Sequence, residues 1–288
     1  MNLRESIINE LINNRPSLSQ SSAKTYSSLL FNLMKDLEFT DIKKFKTEKE
    51  KIIEYIKNNN KPVASQKTIF SALFILTNIE DYKEIMTVLC KISNDEYSQQ
   101  TKTKKQEENN ISFKEVKKKH SEIKKLYKAK PNEYNTVNYL ITSFMTGVYE
   151  DLPPRRNEIS DVKINNYNPE IDNCIHNNQI IYNSYKTAKQ HGREIITIPA
   201  ELMKVVKKWR DETKSDYLLT HKMNKFNSST LGKRLYKIFD DKLIGASALR
   251  SIFLSDMYKD MPKLQKMEEV AAKMGHSVNT ALTRYVKK

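Results

Sequence analysis

Glycine and cysteine are scarce in this chain of 288 residues, which has five of the first and two of the second. The glycines, at positions 147, 192, 232, 245 and 275, form no Gly-rich phosphate loop, which argues against an engine driven by nucleoside triphosphates. Cys90 and Cys174 stand in no CxxC and no Cys/His metal spacing, so neither a disulfide framework nor a metal site is expected, and a reducing interior is implied. Long apolar runs are missing too. No stretch approaches membrane-spanning length and the opening MNLRESIINELI is charged throughout, so neither a signal peptide nor a membrane helix is expected. No internal repeat is present.

What the chain has in excess is positive charge. Its formal net charge is +15 and its pI about 9.5, so a polyanion is the natural partner and counterion release would supply much of the affinity. The excess is one-sided: residues 1–110 carry 17 Lys/Arg against 15 Asp/Glu, while residues 111–288 carry 33 against 20. A merely soluble Lys/Glu surface does not predict that asymmetry, and nucleic acid is the preferred reading.

Apolar residues recur at three- and four-residue spacing through the first hundred positions. They predict helices over 19–37 (Leu29, Leu30, Leu33, Met34, Leu37), 48–57, 63–77 and 82–93, with no strand pattern between them. The cluster SQSSAKTYSS around Lys24 suits phosphate contacts, and Lys67 lies on the third of these helices; plain solvation of both is the competing reading. SQQTKTKKQEENN, 98–110, lacks apolar residues and reads as a linker. Ser112-x-x-Glu115 then has the form of a capping box opening a helix through Tyr127. A helix over 134–146, strands over 160–164, 179–185 and 193–199, a hairpin loop over 186–192, and helices over 200–210, 230–239, 247–258 and 264–274 complete the reading. The expected fold class is mainly α: a helical bundle, then an α-rich domain containing a small antiparallel sheet.

Four short segments carry chemistry. Arg155-Arg156-Asn157-Glu158-Ile159 follows Pro153-Pro154, and Arg250 sits in Ser247-Ala248-Leu249-Arg250-Ser251-Ile252-Phe253, where a charge among apolar residues is costly unless it faces a partner. Tyr185-Lys186-Thr187 opens the expected hairpin loop. Gly275-His276 precedes Tyr285 by nine residues from the histidine. Two guanidiniums, with their planar donor forks, can position and neutralise a phosphodiester without a metal, and a phenol can attack it. Each residue alone has a bland alternative: a solvated turn for the arginine pair, a hairpin-tip lysine, a helix-ending histidine, one tyrosine of 15. Their conjunction points to breakage of DNA strands.

In these segments the chain resembles the tyrosine recombinases, the phage-integrase family, over nearly its whole length. The resemblance implies a helical, SAM-like core-binding domain over 1–97, a linker over 98–110 and a catalytic domain over 111–288. It implies a catalytic set of Arg155, Lys186, Ser247, Arg250, His276 and Tyr285, with Lys24, Lys67, Arg156 and Lys189 as DNA contacts and Lys189 as the reserve for Lys186. Tyr285 would form a 3′-phosphotyrosyl link, Lys186 would protonate the leaving 5′ oxygen, and neither metal, ATP nor any other cofactor is implied. Ser247 departs from the family, which has His or Lys there, and Lys242 is the first alternative donor. The implied partners are double-stranded DNA and copies of the chain assembled as a tetramer on it. With Val286, Lys287 and Lys288 alone following Tyr285, the free protein is expected to be monomeric. The implied setting is intracellular and DNA-associated, in the cytoplasm of a bacterium or, for a viral protein, the nucleus or a viral factory, with recombination or integration of a mobile element or virus as the role. A type IB topoisomerase and a catalytically weakened DNA-binding accessory protein are the alternatives.

Overall fold

The computed structural model describes residues 3–275, 277–280 and 282. It is mainly α-helical with a small antiparallel sheet, as the periodicities predict. The helices before the sheet are α1 (Leu3–Asn14), α2 (Gln20–Asp36), α3 (Lys44–Thr47), α4 (Lys49–Asn58), α5 (Val63–Thr77), α6 (Glu80–Ser98), α7 (Lys104–Glu108), α8 (Phe113–Ala129) and α9 (Glu133–Met145). After α9 come β1 (Cys174–His176), β2 (Gln179–Tyr182), α10 (Ala188–His191), β3 (Glu194–Thr197), α11 (Ala200–Glu212), β4 (Thr220–His221) and β5 (Asn224–Lys225). The chain ends in α12 (Ser228–Ile238), α13 (Ala246–Met257), α14 (Leu264–Lys273) and the single turn α15 (Val278–Thr280). Two compact units result: Met1–Thr101 with Pro262–Lys288, and Lys102–Met261. Among the described residues no helix is long and apolar enough to cross a membrane.

The first unit closes on one apolar cluster that includes Ile7, Leu11, Leu30, Phe45, Phe70 and Leu73. Tyr82 of α6 is buried there and its hydroxyl donates to the Phe45 carbonyl at 2.9 Å, tying α6 to α3. Part of the serine cluster before Lys24 caps α2: the Ser19 hydroxyl accepts from the Ser22 backbone N–H at 3.2 Å. Lys24 itself is exposed and Lys67 half-buried. Where α14 begins, the Leu264 N–H donates to the Gln100 side chain at 3.0 Å.

The second unit begins with two capping boxes. Thr103 and Gln106 cap α7, a helix inside the segment read as a linker, and Ser112 and Glu115 cap α8 as the sequence predicts. The sheet has the order β1-β2-β3, both pairings antiparallel, with Ile180 opposite Ile175 and Ile196. Asn177 and Asn178 join β1 to β2 at φ 49° and 61°, a two-residue turn whose twist matches the strands. The expected strand over 160–164 is instead a 3-10 helix over Asn157–Asp161. Burial alternates along it, with Ser160, Val162 and Ile164 buried and Asp161 exposed, but the Val162 N–H bonds back to the Ile159 carbonyl at 3.3 Å, so the backbone closes a turn there instead of opening a ladder. Within the segment Lys163 forms isolated bridges, parallel to Cys174 of β1 and antiparallel to Tyr217. Trp209 of α11 is buried and its indole donates to the Leu218 carbonyl at 3.0 Å. The Cys174 thiol is buried in β1, and burial pushes its pKa up to about 11.

Gly147, just after α9, has φ +74° and touches two other segments. A Cβ there would lie 2.5 Å from the Phe253 ring of α13 and 2.8 Å from Cδ of Pro154. The absence of that one carbon lets the segment carrying Arg155 and the helix carrying Arg250 meet just beyond the end of α9. Gly147→Ala combines a disfavoured backbone angle with overpacking and should destabilise this unit by about 2–4 kcal/mol, measured as a shift in the urea midpoint.

Beneath the same helix, His120 of α8 is buried against the Tyr139 and Tyr149 rings, with the Thr142 hydroxyl 3.1 Å from its Nδ1. Tyr139 and Tyr149 share a hydroxyl–hydroxyl bond of 2.9 Å. Burial first, then Lys124, lowers the His120 pKa to about 4, while Glu201 opposes the shift weakly. The unfolded chain therefore binds this proton more tightly than the folded one. The stabilisation is complete above the ordinary value near 6.5 and is lost as pH falls toward 4, by about 3 kcal/mol in all. His120→Gln should remove one proton's worth of that pH slope in denaturation curves between pH 6.5 and 4.

Candidate active site

Arg155 leaves Pro154 in an extended segment that ends at the 3-10 helix, and its side chain enters the space beside β2 and β3. The register places Tyr182 opposite Glu194 across those strands, and both meet the arginine. The guanidinium carbon lies 4.6 Å from the Tyr182 ring centre and 5.0 Å from that of Tyr185. One terminal nitrogen bonds the Glu194 carboxylate, while Nε stands 3.5 Å from a Glu158 carboxylate oxygen. That Nε is buried and has no hydrogen-bond partner. Arg155 is thus walled by two rings, each contributing about 0.5–2 kcal/mol, and flanked by two acids.

Neither wall tyrosine is primed for chemistry. Burial holds the Tyr182 phenol well above the ordinary range, against a smaller lowering by Arg155. Burial and the nearby Glu194 also raise Tyr185, and its hydroxyl donates to the Gly192 carbonyl at 2.8 Å. That bond spans the loop between β2 and β3 and holds its two ends together. Lys186 follows Tyr185 directly in the turn before α10 and is exposed; Lys189 is exposed on α10 itself. Arg156 is exposed beside Arg155.

Ser247 and Arg250 lie one turn apart on α13, Ser247 exposed and Arg250 half-buried. Leu249 and Phe253 anchor the helix in the core, and Phe253 packs edge-on against Phe113 with ring centres 5.6 Å apart. The ammonium of Lys242 is engaged elsewhere, on the Asn110 carbonyl at 3.3 Å. His276 and Tyr285 lie outside the described residues. The structure therefore joins Arg155 to the Lys186 loop through Tyr185, and brings the Arg155 segment against the Arg250 helix through Gly147. Lys24 and Lys67 belong to the first unit. Sequence reasoning missed three residues that build this neighbourhood: Gly147, Tyr182 and Glu194. Gly147 carried a usable signal as a glycine directly after a helix, but nothing local in the sequence ties Glu194 to Arg155.

Arg155→Ala would strand Glu158, which is 13% exposed, and Glu194 without their counter-charge. The expected loss is about 2–4 kcal/mol near neutral pH. Urea denaturation of both proteins at neutral pH measures it.

No family model and no curated protein matches this chain. Among solved structures, a crystal structure of XerA recombinase is similar over 98% of this chain and 94% of its own, at 15% identity and a TM-score of 0.35.

Proposed function

We propose that this protein cuts and rejoins duplex DNA through a covalent 3′-phosphotyrosyl intermediate, as a tyrosine-type recombinase or integrase. The observation that carries the reading is the constellation around Arg155. A half-buried guanidinium is held between two rings at the base of a hairpin, and the next residue along that hairpin after the second ring is Lys186. The order of Arg155, Lys186, Arg250, Gly275-His276 and Tyr285 along the chain, with the nine-residue step at its end, supports it further. So does the net charge of +15.

In this mechanism Arg155 and Arg250 bind the nonbridging oxygens of the scissile phosphate and offset the charge that grows on them as the nucleophile approaches. The Tyr285 oxygen forms a bond to phosphorus, and the bond from phosphorus to the 5′ oxygen breaks. Lys186 gives the departing oxygen its proton, while His276 bonds the phosphate or takes part in moving the phenol's proton. The phosphotyrosyl ester keeps the bond energy, and attack by a 5′ hydroxyl reverses the steps without ATP. Ser247, a neutral donor, contributes less than a cation would, so chemistry rests mainly on the two arginines and His276. Assembly of four copies on two DNA sites and an intracellular, DNA-associated setting belong to the same proposal.

The neutral Ser247 also favours a second reading, a DNA-binding accessory protein whose strand chemistry has decayed. A nicked suicide duplex separates the two. The parent should give a covalent adduct that survives denaturing electrophoresis, and Tyr285→Phe should abolish it with little loss of binding. Arg155→Ala and Arg250→Ala should each reduce adduct by orders of magnitude, whereas Arg156→Ala should cost mainly non-specific affinity. Undiminished adduct from Tyr285→Phe would overturn the assignment; no adduct from the parent would leave the accessory role.

A further inference from the structure

We propose that Glu194 is an internal competitor for phosphate: its carboxylate occupies the Arg155 guanidinium in the DNA-free protein and has to leave before a phosphate oxygen can bind there. The inference rests on the reading of Arg155 as a phosphate-binding residue.

The charges around Arg155 do not suit an incoming anion. One guanidinium faces two carboxylates, Glu158 and Glu194, so the cluster is negative by one unit within a chain whose net charge is +15. A phosphodiester brings a further negative charge. At contact distance and with water only partly present, that repulsion is not screened away. The two carboxylates are not equivalent. Glu158 lies three residues from Arg155 in the same segment, is 13% exposed, and meets the guanidinium on its Nε side. It accompanies the arginine in any rearrangement. Glu194 approaches from another strand, is 34% exposed, and takes a terminal nitrogen, one of the donors a phosphate would use in a two-point contact.

The position of Glu194 in the chain makes it displaceable. It is the first residue of β3, directly after the loop that bears Lys186, Lys189 and Arg193. That loop holds Gly192 at φ +74° and is closed by the bond from the Tyr185 hydroxyl to Gly192. Arg193 is held by Glu170 at 2.8 Å. A backbone phosphate drawn to the loop's cations would act on the strand end that carries Glu194. The guanidinium, meanwhile, has donor capacity unspent, since its buried Nε has no hydrogen-bond partner. Glu194 therefore keeps the arginine closed to stray anions and yields to a ligand that engages the loop as well.

The test uses the full chain with inorganic phosphate as the probe, titrated by phosphorus NMR. Glu194→Gln keeps the side chain's shape and removes its charge, and should bind phosphate about tenfold more tightly than the parent. The gain should vanish in Arg155→Ala/Glu194→Gln. Glu170→Gln, the same charge change on the partner of Arg193, should give much less, which separates the local effect from the added net charge. Glu194→Asp, whose shorter side chain retracts the carboxylate, should give a smaller gain in the same direction. Phosphate binding unchanged or weaker in Glu194→Gln, or a gain that persists without Arg155, would overturn the proposal. Failure of both Glu194 variants to fold would make the residue a structural clamp and overturn it equally. Because the probe involves no strand cleavage, a phosphate gain without a suicide-duplex adduct would sink the recombinase reading and leave the competitor standing. An adduct without the gain would do the reverse.

Discussion

Pro154 and the Phe253 ring both rest on Gly147, and they can do so because that residue presents no Cβ. Two segments far apart in sequence, one leading into Arg155 and one carrying Arg250, take their positions from that contact. Interiors are close-packed and transmit displacement rather than absorb it, so a carbon added at Gly147 would be felt at both arginines. Phe253 passes the constraint on to Phe113 at the start of α8, whose capping box fixes where that helix begins. The placement of the arginines is thus set by packing, and their chemistry follows from it.

Charge is distributed against the overall sign of the molecule. The chain is strongly basic, yet the half-buried Arg155 of the candidate site is surrounded by acids and aromatic faces. Exposed lysines such as Lys186 and Lys189 remain in solvent, where they act at long range and are screened by salt. The lysines are thus spread through solvent, while the arginine is oriented by the rings and carboxylates around it.

The helices were legible because apolar residues must recur every three or four positions to line one face. α5 begins and ends where the periodicity puts it, and the Ser112–Glu115 cap is present with both of its bonds. The small strands were harder. β1 lies among Asn and Asp residues that resemble loop, although the Asn177-Asn178 pair was a readable turn signal. The turn between β4 and β5 uses Lys222 and Met223 at φ 50° and 67°, residue types that announce nothing of the kind, so that hairpin had no local signature. The segment over 160–164 alternates in burial as a strand would, but its first residues belong to a 3-10 turn closed by the Val162 N–H on the Ile159 carbonyl, a backbone bond that the side-chain pattern does not announce. Of the site, the types and order of the basic residues could be read from the sequence. The clamp on Arg155 could not, because it is a pairing between positions 155 and 194 that the β2–β3 register creates.

Trp209 is the sole tryptophan in the chain, and it lies in the core that also contains Gly147's neighbour Phe253 and the residues around His120. Its indole is sequestered from water and bonded to a backbone carbonyl. Excited at the red edge of the protein's absorption, where tyrosine does not contribute, the molecule therefore emits from residues 102–261 alone. The first unit is silent at that wavelength, so indole emission would follow the second unit alone while far-ultraviolet dichroism follows the helices of both, and the native chain carries its own reporter for the half that bears Arg155.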